Sequence, residues 1–296
     1  MSALLQGIFP VLQTAVNDND GLDIDSLRKQ VDFCIQAGAH GLVYPVLGSE
    51  FLFLSQTERH QMAAAVVDQA AGRIPVVVGV AGTCEADALE HARHAATTRA
   101  DAVIALPPNM GSGTREQVNS YYRAIAAAVE VPVFIQHTSG GINVDLMREL
   151  FEQVDNISYL KEEQNPSAHQ ISAVFKSVGD ACLGVFGGGW GRWMLSELDR
   201  GATGFMPAAE SVDVHVQVWD AYQSGDRRQA RDIFNQLLPL INLTLALGLP
   251  VCKEVLVRRD VFSSARQRTP GGGALDEGDH RELDIILDDL RPLFRV

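Results

Sequence analysis

Short apolar runs alternate with longer helical patterns from residue 7 to residue 225, and this alternation limits the fold more than any other feature of the chain. The runs span 7–14, 41–46, 74–80, 101–108, 131–137, 157–163, 182–188 and 202–208. They are apolar and β-branched, as parallel strands covered on both faces should be. A helical pattern follows each run, at 24–38, 55–72, 84–99, 114–130, 143–154, 167–179, 190–201 and 211–225. Ser55 and Glu58 have the spacing of a capping box at the start of the second helix. So many βα units in so short a stretch predict an α/β chain folded as a (β/α)8 TIM barrel, not an open doubly wound sheet. No GxGxxG follows the first run, so a dinucleotide-binding fold lacks its fingerprint. The expected organisation is a barrel over residues 1–225 and a C-terminal helical appendage over 226–296, with a "TPGGG" loop at 269–273 between its last two helices.

Composition excludes several function classes. A formal net charge of −13 over 296 residues argues against a nucleic-acid partner, which needs a basic footprint. Cys34, Cys84, Cys182 and Cys252 are scattered without CxxC spacing, which suits neither a disulfide framework nor a zinc site and fits a reducing cytoplasm. The opening "MSALLQGIFP" has no basic segment before an apolar core, and no run is long enough to span a bilayer. The expected chain is cytoplasmic, makes no contact with a membrane and carries no metal or cofactor.

Active sites of (β/α)8 barrels lie at the carboxyl ends of the strands. The polar residues expected there are Thr14, the segment 46–50, Asn109, Gln136 and His137, Lys161 and Glu163, and "GGGWGRW" at 187–193. Lysine is scarce in this chain (Lys29, Lys161, Lys176 and Lys253), and Lys161 alone falls at a strand end. Arginine cannot deprotonate in a protein, whereas lysine can, and only a neutral amine attacks a carbonyl. Alternation along an extended strand lets Lys161 and Glu163 face the same space and turns Glu162 to the other side. Two readings of Glu163 stand side by side: a proton carrier beside the amine, or one half of a structural ion pair. Gly187 and Gly188 either let backbone approach a ligand or simply turn the strand into the next helix. His137 is either a substrate contact or a loop cap. His91 and His94 lack an obvious third ligand, so a satisfied surface pair is expected in place of a metal site. Trp190 and Trp193 are expected to pack in the core.

With these residues in place, "GIFPVLQTAVNDNDGLDIDSLRKQVDFCIQAGAHGL", "GSEFLFLSQTER", "YLKEE", "GGGWGRWMLSELDRGATGFMP" and "LPVCKEVL" together resemble the dihydrodipicolinate synthase / N-acetylneuraminate lyase family over nearly the whole chain. The resemblance implies a class I aldolase-type barrel in which Lys161 forms a Schiff base with a 2-oxo acid, and it implies a homotetramer. Departures from the family pattern are informative. The second-strand Gly-Thr-Thr-Gly-Glu is Val46-Leu47-Gly48-Ser49-Glu50, so the usual threonine hydroxyls are missing, and the backbone N–H groups of Gly48 and Ser49 become the candidates for holding a carboxylate. The strand-5 tyrosine is Gln136 in "Gln136-His137-Thr138-Ser139", and the arginine that dihydrodipicolinate synthases place shortly after it is Gly141. The motif pattern resembles instead the branch that holds L-2-keto-3-deoxyarabonate dehydratase and pyrroline-4-hydroxy-2-carboxylate deaminase, where Lys-x-Glu ends strand 6. On that resemblance Glu163 replaces the tyrosine as acid and base, and Gln136, His137, Gly187 and Gly188 contact the substrate tail.

The expected activity is therefore a Schiff-base lyase acting on a 2-oxo acid, with dehydration of a 2-keto-3-deoxy sugar acid as the leading reaction. The alternatives are a pyruvate-dependent aldolase, a dihydrodipicolinate synthase-like condensing enzyme, a deaminase of the pyrroline type, and an inactive binding barrel.

Overall fold

The computed structural model describes residues 4–138, 140–270 and 273–296, leaving aside the side chains of Asn109 and Met110. The candidate Asn109 side chain, Ser139 and part of the 269–273 loop thus lie outside the described residues. In chain order the elements are β1 (Gly7–Ile8), α1 (Ile24–Gln36), β2 (Leu42–Tyr44), α2 (Gln56–Ala70), β3 (Val76–Gly79), α3 (Glu85–Thr98), β4 (Ala102–Ala105) and α4 (Arg115–Ala128). Next come β5 (Val133–His137), α5 (Val144–Gln153), β6 (Ile157–Glu162), α6 (Ser167–Val178), β7 (Gly184–Gly187), α7 (Met194–Leu198), β8 (Gly204–Phe205) and α8 (Val212–Gln223). The chain closes with α9 (Arg227–Leu247), α10 (Leu249–Arg258) and α11 (Glu277–Leu290). Every expected strand and helix is present in the expected order. Among the described residues no helix is long and apolar enough to cross a membrane.

The chain divides into two compact units. The first comprises Pro75–Gly189 and Trp193–Met206, with a short piece ending at Gln6. Its strands β3 to β8 pair in sequence order and all in parallel. The β5–β6 register sets Gln136 beside Lys161 and His137 beside Glu162. Phe134, Tyr159 and Phe186, each at most 2% exposed, meet on three neighbouring strands. Phe134 and Tyr159 stack with centroids 4.6 Å apart, and Phe186 meets Phe134 edge-on at 5.4 Å. Burial of each ring is worth roughly 1.5–3 kcal/mol, and each ring pair adds about 0.5–1.5 kcal/mol. Two residues on from Phe134 and Tyr159 come Gln136 and Lys161, so strand alternation puts these polar ends on the same face as the aromatic cluster.

The second unit comprises Gly7–Ile74, Trp190–Arg192 and Pro207–Val296. Here strand 1 is shorter than the expected 7–14. Only Gly7–Ile8 is regular, and Val11 continues as isolated parallel bridges to Val43 and Ala208. Pro10 explains the break, because proline donates no ladder hydrogen bond. The capping box at α2 is complete, with Ser55 accepting from the Glu58 N–H and Glu58 from the Ser55 N–H. Asp213 of α8 and Arg259, just past α10, form a buried bidentate pair at 3.0 and 2.7 Å, which ties the C-terminal helices to α8.

Helix 7 departs from expectation. The pattern over 190–201 contains regular α-helix only at Met194–Leu198. Gly189 and Gly191 have φ of 55° and 76°, and Trp190 between them has φ of 59°. Three successive left-handed residues cannot continue a right-handed helix. Trp193 is also 46% exposed and not in the core as expected; its indole N–H donates to Asn165 at 3.2 Å. His91 is likewise not a surface residue: it is 5% exposed and lies 3.3 Å from Asp87.

Candidate active site

The chemistry-bearing residues of the first unit gather at the carboxyl ends of β5, β6 and β7. Lys161 is 3% exposed, and its ammonium nitrogen lies 3.2 Å from Glu163 Oε1. The second carboxylate oxygen of Glu163 accepts a hydrogen bond from Gln136 Nε2 at 2.7 Å. The Gly189 N–H donates to Glu163 Oε1 at 3.2 Å, and the Glu163 N–H donates to His137 O at 2.7 Å. A carboxylate held at both oxygens and at its own backbone has little freedom to swing away from the amine.

Gly187, the last residue of β7, and Gly188, just after it, have separate tasks. A Cβ on Gly188 would run into the Glu163 side chain, and a Cβ on Gly187 would run into Glu197 Oε2 and Phe205. Consecutive strand residues project to opposite faces. Gly188 therefore makes room for the carboxylate beside Lys161, and Gly187 makes room for a second carboxylate on the other face. That placement accounts for the absence of a side chain at both positions.

The opposite face of β5 and β6 holds a second polar set. Glu162 is fully buried, and its Oε2 lies 2.9 Å from His137 Nδ1. Its Oε1 accepts from the Gln164 N–H at 2.7 Å. Desolvation raises the Glu162 carboxyl above its ordinary range, against the pull of its His137 hydrogen bond. His137 is 5% exposed and turned toward Glu162, so the structure does not bring it together with Lys161.

Sequence reasoning missed Glu197. It sits on α7, is 1% exposed, and accepts a hydrogen bond from the Ser167 hydroxyl of α6. Among the described residues its Oε2 has no hydrogen-bond partner. Burial pushes its carboxyl up to about 7, and repulsion from Glu162 and Glu163 pushes the same way. A glutamate among Leu195 and Leu198 on a helix face that reads as core was the available signal.

Ser49 and Gly48 belong to the second unit. Ser49 is fully buried; its N–H donates to Val46 O at 2.8 Å and its hydroxyl to Leu12 O at 2.5 Å. Its carbonyl accepts from the Thr14 hydroxyl, which also meets the Tyr44 hydroxyl at 2.9 Å. Gly48 is partly exposed. Glu50, with φ of 59°, is a clamp. It binds the Lys253 ammonium, the N–H groups of Arg268 and Thr269 at 2.7 and 2.9 Å, and the Thr269 hydroxyl at 3.0 Å. Those bonds leave Glu50 as an anchor for the 266–269 segment.

Lys161 and Glu163 thus set a buried amine beside a restrained carboxylate at the end of one strand of a parallel β/α fold. The chain belongs to the dihydrodipicolinate synthetase family, whose model matches residues 4–289. It is 27% identical to L-2-keto-3-deoxyarabonate dehydratase of Azospirillum brasilense, over 90% of this chain and 88% of that protein. It is 26% identical to 4-hydroxy-tetrahydrodipicolinate synthase of Methanococcus maripaludis, over 90% of this chain and 92% of that protein. Its fold matches the crystal structure of dihydrodipicolinate synthase from Rhodopseudomonas palustris with a TM-score of 0.88 at 28% identity, covering 96% of this chain and 97% of that one. The protein is thus a lyase or aldolase of this family, with the family's TIM-barrel type of fold.

Proposed function

We propose that this protein is a Schiff-base-forming lyase that dehydrates a 2-keto-3-deoxy sugar acid. The observation that carries the proposal is the 3.2 Å approach of Lys161 Nζ to Glu163 Oε1, with Gln136 holding the other carboxylate oxygen. The neutral Lys161 amine attacks C2 of the 2-oxo acid, and loss of water gives an iminium. Glu163 takes a proton from C3, the iminium nitrogen accepts the electron pair, and an enamine forms. The enamine pair then expels the C4 hydroxyl, which takes the proton back from Glu163 and leaves as water. Hydrolysis of the conjugated iminium frees Lys161.

Position 141 weighs against the condensing reaction of dihydrodipicolinate synthases. Gly141 has φ of 78°, and a Cβ there would stand 2.5 Å from Gly111 Cα, so the arginine expected of those enzymes cannot sit there without moving backbone. The carboxylate-holding role given by resemblance to Gly48 and Ser49 is kept in this proposal for the Gly48 N–H, because the Ser49 N–H is spent on Val46. The homotetramer and the cytoplasmic setting are parts of the same proposal.

A screen of 2-oxo acids, with and without 3-deoxy sugar tails, tests the reading when water loss and pyruvate release are followed together. Water loss without pyruvate release is the expected result. Pyruvate release from the same substrates would assign an aldolase instead, because carbon–carbon cleavage shares the first covalent step.

A further inference from the structure

We infer that Glu197 is a positioning residue for Glu163, acting through the Gly187–Gly189 backbone from the face opposite Lys161. The inference rests on the Schiff-base reading above. Glu197 Oε2 packs where Gly187 would carry its Cβ, Gly188 makes room for Glu163, and the Gly189 N–H donates to Glu163 Oε1. Three successive glycines therefore link one carboxylate to the other. Any side chain at 187 would displace Glu197, and any side chain at 188 would displace Glu163.

The link works only while Glu197 is uncharged. Its Oε2 is buried without a partner among the described residues, which a neutral carboxyl tolerates far better than a carboxylate does. The charged groups facing it are Glu162 and Glu163 of the β6 end, which are themselves paired with His137 and Lys161. Helix α6 contributes the Ser167 hydroxyl, and β8 places Phe205 beside Gly187. Ionisation of Glu197 would put a third negative charge next to Glu162 and Glu163. It would drive the Glu197 carboxylate off Gly187 and loosen the Gly189 N–H from Glu163. The carboxyl stands near 7, so the ionisation falls in the neutral to alkaline range.

Deuterium exchange at the methyl group of pyruvate, followed by NMR in heavy water, reads proton removal by Glu163 without knowledge of the natural substrate. In the wild type the exchange rate should fall above neutrality, approaching about tenfold per pH unit for a single ionisation. Glu197→Gln mimics the neutral acid and should abolish that alkaline fall. Ser167→Ala removes a bond that favours the charged form and should move the fall to higher pH. Borohydride trapping of pyruvate should remain within about twofold in both variants, because Lys161 is not the group affected. Identical pH profiles for wild type and Glu197→Gln would overturn the inference, as would loss of trapping in step with exchange. A second readout does not depend on catalysis. Infrared titration should show a carboxylic acid band absent from Glu197→Gln, with a midpoint that drops in Glu163→Gln as the like charge is removed. If the wild type traps no pyruvate, the lyase reading fails. The infrared midpoint then decides the Glu197–Glu163 link alone: a shift supports it, and an unchanged midpoint refutes it.

Discussion

Gln136 Nε2 donates to Glu163 Oε2 across 2.7 Å, at the position where the family's resemblance places a tyrosine. The amide cannot shuttle protons, but in the proposed mechanism it aims the carboxylate that does. Gln136→Leu should remove that aim and leave Lys161 in place. A hydrogen bond to a charged group is worth about 1.5–3 kcal/mol, so pyruvate methyl exchange should fall roughly 10- to 100-fold. Comparison of exchange with borohydride trapping in the same samples checks it; equal losses in both would mean that Gln136 serves the lysine instead.

Gly188→Ala should be more severe for the chemistry and mild for the fold. The Gly188 backbone is not in the left-handed region, so alanine is conformationally acceptable, yet its Cβ would displace Glu163. We expect exchange to drop by about 100-fold or more, since misplacement of a catalytic group by about 1 Å costs on that order. Thermal unfolding should shift by only a few degrees. An active Gly188→Ala variant would show that Glu163 is not the proton carrier.

Stability should depend on the Asp213–Arg259 pair. Both side chains are at most 5% exposed, and Arg259 also lies over the rings of Phe33 and Phe294. Asp213→Ala strands a buried guanidinium, for which a loss of about 3–5 kcal/mol is expected. Urea unfolding of the two proteins measures it. A change below about 1 kcal/mol would mean that water replaces the carboxylate.

Glu197 and Glu210 give stability a pH dependence of defined sign. Burial raises both carboxyls from 4.5 to about 7, so each holds its proton in the folded state after the unfolded chain has released it. Their contribution is complete below the ordinary carboxyl range and is lost as pH rises from there through about 7. Glu197→Gln should flatten that decline and Glu210→Gln should flatten it further, measured as unfolding free energy between pH 5 and pH 8. A decline of unchanged steepness in both variants would refute the assignment.

The sequence made the strand–helix order legible because each element carries its own period and its own stops. Ser55 with Glu58 is one such local signal, and it forms the expected cap. Alternation on β6 likewise put Lys161 and Glu163 on one face and Glu162 on the other. Relations between strands were not legible. The partnership of His137 with Glu162 depends on the β5–β6 register, and the seating of Glu197 against Gly187 depends on how α7 meets β7. Helix 7 was overextended because the left-handed conformation of Trp190 has no local signature in a residue with a bulky side chain.

In the proposed function Lys161 is the amine that binds a 2-oxo acid covalently. Incubation with pyruvate and borohydride, followed by proteolysis and mass spectrometry, puts that role to the test. One stable adduct is expected, on the peptide that contains Lys161, and none after Lys161→Ala. No adduct, or an adduct on Lys29, Lys176 or Lys253 that persists in Lys161→Ala, would contradict it.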